Sequence, residues 1–137
     1  ENVTLRGRVS EAALGDALCS AKALVFAAEE DFGIVLVEAQ AAGTPVIAYG
    51  KGGACETVLN GITGILFQEQ TPESIVTAIE AADSLQFDPE VLKRHAQQFT
   101  PQIFQSELRA WIEEEWESFL DQSKTLSSDG ENAFRYS

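Results

Sequence analysis

Ala23-Leu24-Val25-Phe26, then Ala27-Ala28-Glu29-Glu30-Asp31-Phe32-Gly33, then Ile34-Val35-Leu36-Val37-Glu38 reads as a short buried strand, a tight acidic loop and the opening turns of a helix. The apolar run 23–26 suits a strand covered on both faces, as parallel sheets require. Gly33 permits a turn that a side chain would obstruct, so the peptide N–H groups that follow can approach a ligand closely. A helix starting at about Ile34 offers unpaired donors and the positive end of its dipole, and anions bind there. Two carboxylates frame that point: Glu30 in the loop, and Glu38 about one and a half turns inside the helix, roughly 7 Å along its axis. Taken alone, Glu30 is explained equally well as a charge that complements the helix dipole. Glu38 interrupts a helix that is apolar nearly all round, where a buried, unpaired carboxylate would be costly. It therefore requires either a partner or a polar cleft.

The chain has 137 residues, 45% of them hydrophobic, which suffices for one domain with a real core. No apolar run approaches the roughly 20 residues that span a bilayer. The opening Glu1-Asn2-Val3 carries no secretory signal and reads as a piece cut from something longer. Cys19 and Cys55 have neither metal nor redox spacing, so free thiols in a reducing cytoplasm are expected. Nine basic against 22 acidic residues give a formal net charge of -13, which argues against nucleic acid and anionic membrane as direct partners.

In chain order, Val3-Thr4-Leu5 is expected as a short strand, and Ser10 caps a helix over residues 11–21. Beyond the central loop and helix, Gly43 closes the helix and Val46-Ile47-Ala48-Tyr49 forms the next strand. Gly50-Lys51-Gly52-Gly53 is a flexible loop before a short helix over residues 54–59. It lacks P-loop or dinucleotide spacing, so a turn with a positive backbone angle at Gly52 or Gly53 explains it at least as well. Ile65-Leu66-Phe67 is a fourth strand. Thr71-Pro72 opens a helix to about Ser84, and Asp88-Pro89 opens another. His95, with no nucleophile or metal-ligand spacing near it, reads as a surface residue. Thr100-Pro101 begins a final helix to about Asp121, and the remainder has linker composition and is expected to be disordered. Four strands alternating with helices argue for a doubly wound parallel sheet, with its ligand outside the carboxyl ends of the strands.

Glu30 and Glu38 stand eight apart around Phe32-Gly33, and Glu38-Ala39-Gln40-Ala41-Ala42-Gly43-Thr44-Pro45-Val46-Ile47-Ala48 follows. Gly52-Gly53-Ala54-Cys55-Glu56-Thr57-Val58, Asn60-Gly61-Ile62-Thr63-Gly64-Ile65-Leu66-Phe67 and Gly7-Arg8-Val9-Ser10 extend the pattern over about residues 3–82. Jointly these stretches resemble the family-4 retaining glycosyltransferases of GT-B fold (group 1 glycosyl transferases). The resemblance implies a Rossmann-like C-terminal half of a GT-B enzyme, residues 1–121, truncated at its N-terminal side, with a tail over 122–137. An opening strand-helix-strand segment and an acceptor-binding N-terminal domain would be missing.

The activity so implied is transfer of a hexose, mannose being one candidate, from a nucleotide diphosphate sugar such as GDP-mannose or a UDP-sugar to a hydroxyl acceptor. Glu30 would be the catalytic residue, contacting the donor sugar's hydroxyls. Glu38 would take the ribose hydroxyls, while Asp31, Phe32, Gly33, Ile34 and Val35 would hold sugar and phosphate. A carboxylate suits a vicinal diol because it accepts two charge-assisted hydrogen bonds. The family holds the donor phosphates with an Arg and a Lys five residues later. Here the residue five after Arg8 is Ala13, so Arg8 is read as a surface charge. No metal or cofactor is implied. The enzyme would be cytoplasmic, with the inner membrane face a further location for its intact form. The fragment alone is expected to be inactive and to bind nucleotide sugars at high micromolar or worse. A stand-alone, non-catalytic module of the same fold is the alternative.

The final helix carries Phe104, Leu108, Trp111, Ile112, Trp116, Phe119 and Leu120 near one face. That stripe either packs on the domain's own sheet or lacks its cover, in which case a homodimer through residues 101–121 is expected.

Overall fold

The computed structural model describes residues 2–132, and the side chains of residues 2–122. Two compact units divide between Gln98 and Phe99.

The first unit is a three-stranded parallel sheet with helices on both faces. Helix α1 (Glu11–Ser20) precedes β1 (Leu24–Phe26), α2 (Ile34–Ala41) and β2 (Val46–Tyr49). Then come α3 (Ala54–Thr57), β3 (Gly64–Phe67), α4 (Pro72–Asp83) and α5 (Pro89–Ala96). The strand order is β1-β2-β3, with Leu24 opposite Val46 and Val46 opposite Gly64. All four residues of β2 are buried. Because side chains alternate along a strand, β2 feeds two separate cores. Val46 and Ala48 pack with Leu18, Leu36, Ala39 and Val58 on the α1/α2 side. Ile47 and Tyr49 pack with Phe67, Ala78 and Ile75 on the α4 side. The doubly wound arrangement expected from the sequence thus follows from a strand that is apolar at every position.

Local chemistry sets the helix ends. Ser10 Oγ accepts from the Ala13 N–H at 3.3 Å, and Thr71 Oγ1 accepts from the Ser74 N–H at 3.2 Å with Pro72 at the first helical position. Asp88 caps α5 from Glu90 N–H at 2.9 Å, and Lys93, Arg94 and His95 complement the dipole at its last turn. Helix α2 closes on Gly43, whose N–H bonds the Gln40 carbonyl while the Thr44 N–H bonds that of Ala39. That pair of bonds is a Schellman motif.

Three expectations need correction. Val3-Thr4-Leu5 is no strand: Val3 is 73% and Leu5 94% exposed, and a strand needs a neighbour to bond. The sheet therefore has three strands rather than four among the described residues. His95 is buried, not a surface residue, because α5 packs against α2 and turns the imidazole inward. The final helix, α6 (Pro101–Asn132), runs past Asp121, so residues 122–132 are helical where a disordered tail was expected. The rest of that tail, 133–137, lies outside the described residues.

Candidate functional site

The carboxyl ends of the three parallel strands each run into a loop, and hydrogen bonds tie these loops together. After β1, residues 27–33 lead to α2; after β2, residues 50–53 lead to α3; after β3, residues 68–71 lead to α4. The Gly53 N–H donates to the Glu30 carbonyl at 2.8 Å, joining the first loop to the second. Gln70 Nε2 donates to the Ala27 carbonyl at 2.7 Å, joining the third loop to the first.

The glycine-rich loop is dictated by how near the two backbones come. A Cβ on Gly53 would fall onto the backbone of Phe32, and one on Gly52 onto the Glu30 carbonyl oxygen, both inside the 3.0 Å that real Cβ atoms respect. Gly52 has φ 57°, as a turn there requires, whereas Gly53 is right-handed at φ -60° and is glycine for space alone. Gly33 is the N-cap of α2 in the left-handed region, φ 71° and ψ 59°, so its turn carries the chain from the acidic loop into the helix.

Glu30, Asp31, Phe32 and Ile34 are exposed around that turn, Gly33 is buried and Val35 half-buried. Among the described residues the N–H groups of Ile34 and Val35 have no backbone acceptor, as the first turn of a helix leaves them. Glu38 is exposed, one turn further along α2. The partner or polar cleft that burial would have required is therefore unnecessary, and water solvates this carboxylate.

Two polar groups at this edge went unnoticed in the sequence. Gln70 is one; only the tertiary arrangement brings it to Ala27. Lys51 is the other, with Nζ 5.6 Å from the centre of the Tyr49 ring. Its pKa is raised, first by hydrogen bonding to Tyr49, then by the charges of Tyr49 and Glu29, so the second loop presents a cation beside an acidic loop. Its position between glycines was the available signal.

A separate hollow of about 560 Å³ lies at the opposite, amino end of the strands, lined by Ala23, Val25, Pro45, Ile79 and Phe87 among others. Its only lining carboxylate is Asp83, and the helix that begins in its wall, at Pro89, has its first turn capped by Asp88. Chemistry favours the loop edge over this hollow. No group of three His, Cys, Asp or Glu among the described residues could hold a metal ion. Cys19 and Cys55 are free and exposed.

Residues 1–99 match the family described as glycosyl transferases group 1. The chain belongs to that family. Among relatives of this group 1 chain, the D-inositol 3-phosphate glycosyltransferase of Streptomyces griseus is 38% identical over 100 residues, 66% of this chain and 20% of the relative. The enzyme of the same name from Rhodococcus erythropolis is 50% identical over 52 residues, 38% of this chain and 12% of the relative. Sucrose-phosphate synthase from Thermosynechococcus elongatus superposes with a TM-score of 0.57 at 28% identity, covering 88% of this chain and 30% of that one. The group 1 chain thus has the α/β, Rossmann-like architecture of a GT-B half, and spans about a fifth of its first relative's length.

Proposed function

We propose that this chain is the donor-binding half of a retaining glycosyltransferase that moves a hexosyl group from a nucleotide diphosphate sugar to a hydroxyl acceptor. The observation that carries the reading is the joined loop edge: Gly53 N–H on the Glu30 carbonyl at 2.8 Å, next to the open N-terminus of α2. Group 1 membership supports the reaction class. Glu30 contacts the sugar hydroxyls and is the catalytic carboxylate; Glu38 accepts from the ribose diol. Asp31 and Phe32 border the sugar. The peptide N–H groups from Phe32 to Val35, starting at the Gly33 turn, hold sugar and phosphate oxygens. Neutralising the diphosphate by helix donors needs no metal.

An acceptor-binding N-terminal domain completes the enzyme in this reading. The one-sided bonding of β1 and the 44% exposure of Val25 within it support a further strand-helix-strand segment on that edge. Mannose is one candidate sugar, GDP-mannose and UDP-sugars are the donors to try, and the relatives' names make a hydroxyl of D-inositol 3-phosphate the first acceptor to test. The enzyme acts in the cytoplasm or at the inner membrane face. Among the described residues no helix is long and apolar enough to cross a membrane.

Saturation-transfer NMR with a panel of GDP- and UDP-sugars tests the reading. Saturation of both ribose and sugar protons is expected. A panel silent at millimolar ligand refutes donor binding by this half.

A further inference from the structure

The described molecule holds a buried polar junction well behind the loop edge, where α2, α3 and α5 meet. Helix α3 has four residues, too few to be stable on its own hydrogen bonds. Its last carbonyl, on Thr57, accepts from Gln40 Nε2 of α2 at 2.8 Å and faces His95 Nε2 of α5 at 3.2 Å. Gln40 Nε2 also donates to the Leu36 carbonyl at 3.1 Å. Thr57 Oγ1 reaches back to the Gly53 carbonyl at 2.8 Å, alongside the Thr57 N–H at 3.0 Å. Gln40 and Thr57 are both fully buried. Gly53 is the residue whose N–H holds the Glu30 carbonyl and whose Cα lies against the Phe32 backbone.

We infer that Gln40 and Thr57 are positioning residues for the acidic loop, fixing Gly53 and through it the backbone of Glu30 to Phe32. His95 braces the same carbonyl from α5. The amide of Gln40 bears the mark of such a role: its Oε1 is buried without a hydrogen-bond partner, an unfavourable arrangement that an apolar side chain would avoid. What the glutamine supplies is its two donated bonds, one within α2 and one across to α3. The connection is continuous in hydrogen bonds from Gln40 to Thr57, Gly53 and Glu30, with no step left to proximity. The inference rests on the donor-binding reading only for its consequence, since the loop it positions is the proposed sugar contact.

Amide hydrogen exchange by NMR on the 137-residue chain tests it. Thr57→Val removes the hydroxyl donor, Thr57→Ser retains it, and Gln40→Met removes both amide donors at similar volume. Thr57→Val and Gln40→Met are expected to speed exchange at Gly53 by about tenfold and to shift the amide signals of residues 30–33. Ile47 and Ala48 of the central strand keep their native rates, and Thr57→Ser stays within about twofold of native throughout. Unchanged Gly53 exchange in the folded variants overturns the inference. Equal acceleration at Ile47 and Ala48, or failure of both Thr57→Val and Gln40→Met to fold, also overturns it, because the junction then supports the fold as a whole. A GDP-mannose titration is read separately. Faster Gly53 exchange with no donor binding even in the native chain would leave the positioning role standing and remove the donor reading.

Discussion

A single methyl group at Gly53 is the smallest change that probes how the two loops meet. Gly53→Ala would drive a Cβ into the Phe32 backbone, and backbone yields less readily than a side-chain tip. We expect a loss of about 3 kcal/mol in urea unfolding, at the upper end for overpacking; a loss under about 0.5 kcal/mol, the range of ordinary surface changes, would show that the loops separate freely. The two glutamates are separable by kinetics in an enzyme carrying this domain. Glu30→Gln should lower turnover, and Glu38→Gln should mostly raise the donor's KM, each by about tenfold to a hundredfold for a charged hydrogen bond lost. Melting temperatures that fall while both constants stay intact would contradict the assignment. At this scale the sequence announced a turn at Gly33 and a positive backbone angle at Gly52 or Gly53, because a turn leaves a glycine where a side chain is strained; only the structure assigns that angle to Gly52. It concealed His95, since an imidazole can serve either surface or interior, and its 8% exposure depends on α5 lying against α2.

Elements with local causes were legible; those needing a distant neighbour were not. Caps at Ser10, Thr71 and Asp88 and the glycine after α2 act within a few residues of themselves, so these helix ends could be read directly. Thr71→Ala should cost about 1 kcal/mol, the usual worth of a threonine cap, and thermal unfolding would show it. No change in melting temperature would mean that Pro72 sets the start of α4 unaided. Val3-Thr4-Leu5 has strand-like residues yet no neighbour to bond, and composition alone could not reveal that. The last helix was read short because residues 122–132 lack an apolar stripe, while the preceding turns supply a helix already nucleated for them to extend.

At the scale of the whole molecule, the apolar face of α6 bears on behaviour in solution. Trp111, Ile112, Trp116 and Phe119 are each more than half exposed, and the rings of Trp116 and Phe119 stack at 5.7 Å. At about 100° per residue, Glu115 falls inside this apolar arc, between Phe104 and Leu108, which weakens association through the face and keeps it reversible. We expect reversible self-association of the chain through α6, read by sedimentation with a blue shift of tryptophan emission on raising concentration. A strict monomer with both indoles already blue-shifted would show that the helix is covered without a second copy.

The same scale governs affinity: a helix N-terminus contributes about 0.3 to 1 kcal/mol toward an anion, against a chain of net charge -13. Isolated, this chain should bind nucleotide sugars at high micromolar or worse and transfer nothing. Such weak binding is well suited to amide chemical-shift mapping, which tests the central claim most directly. Titration with GDP-mannose and UDP-glucose should move the amides of residues 29–35, Glu38 and residues 50–54, leaving those around Val25, Ile79 and Phe87 in place; shifts confined to the latter hollow, or none at millimolar donor, would contradict the account.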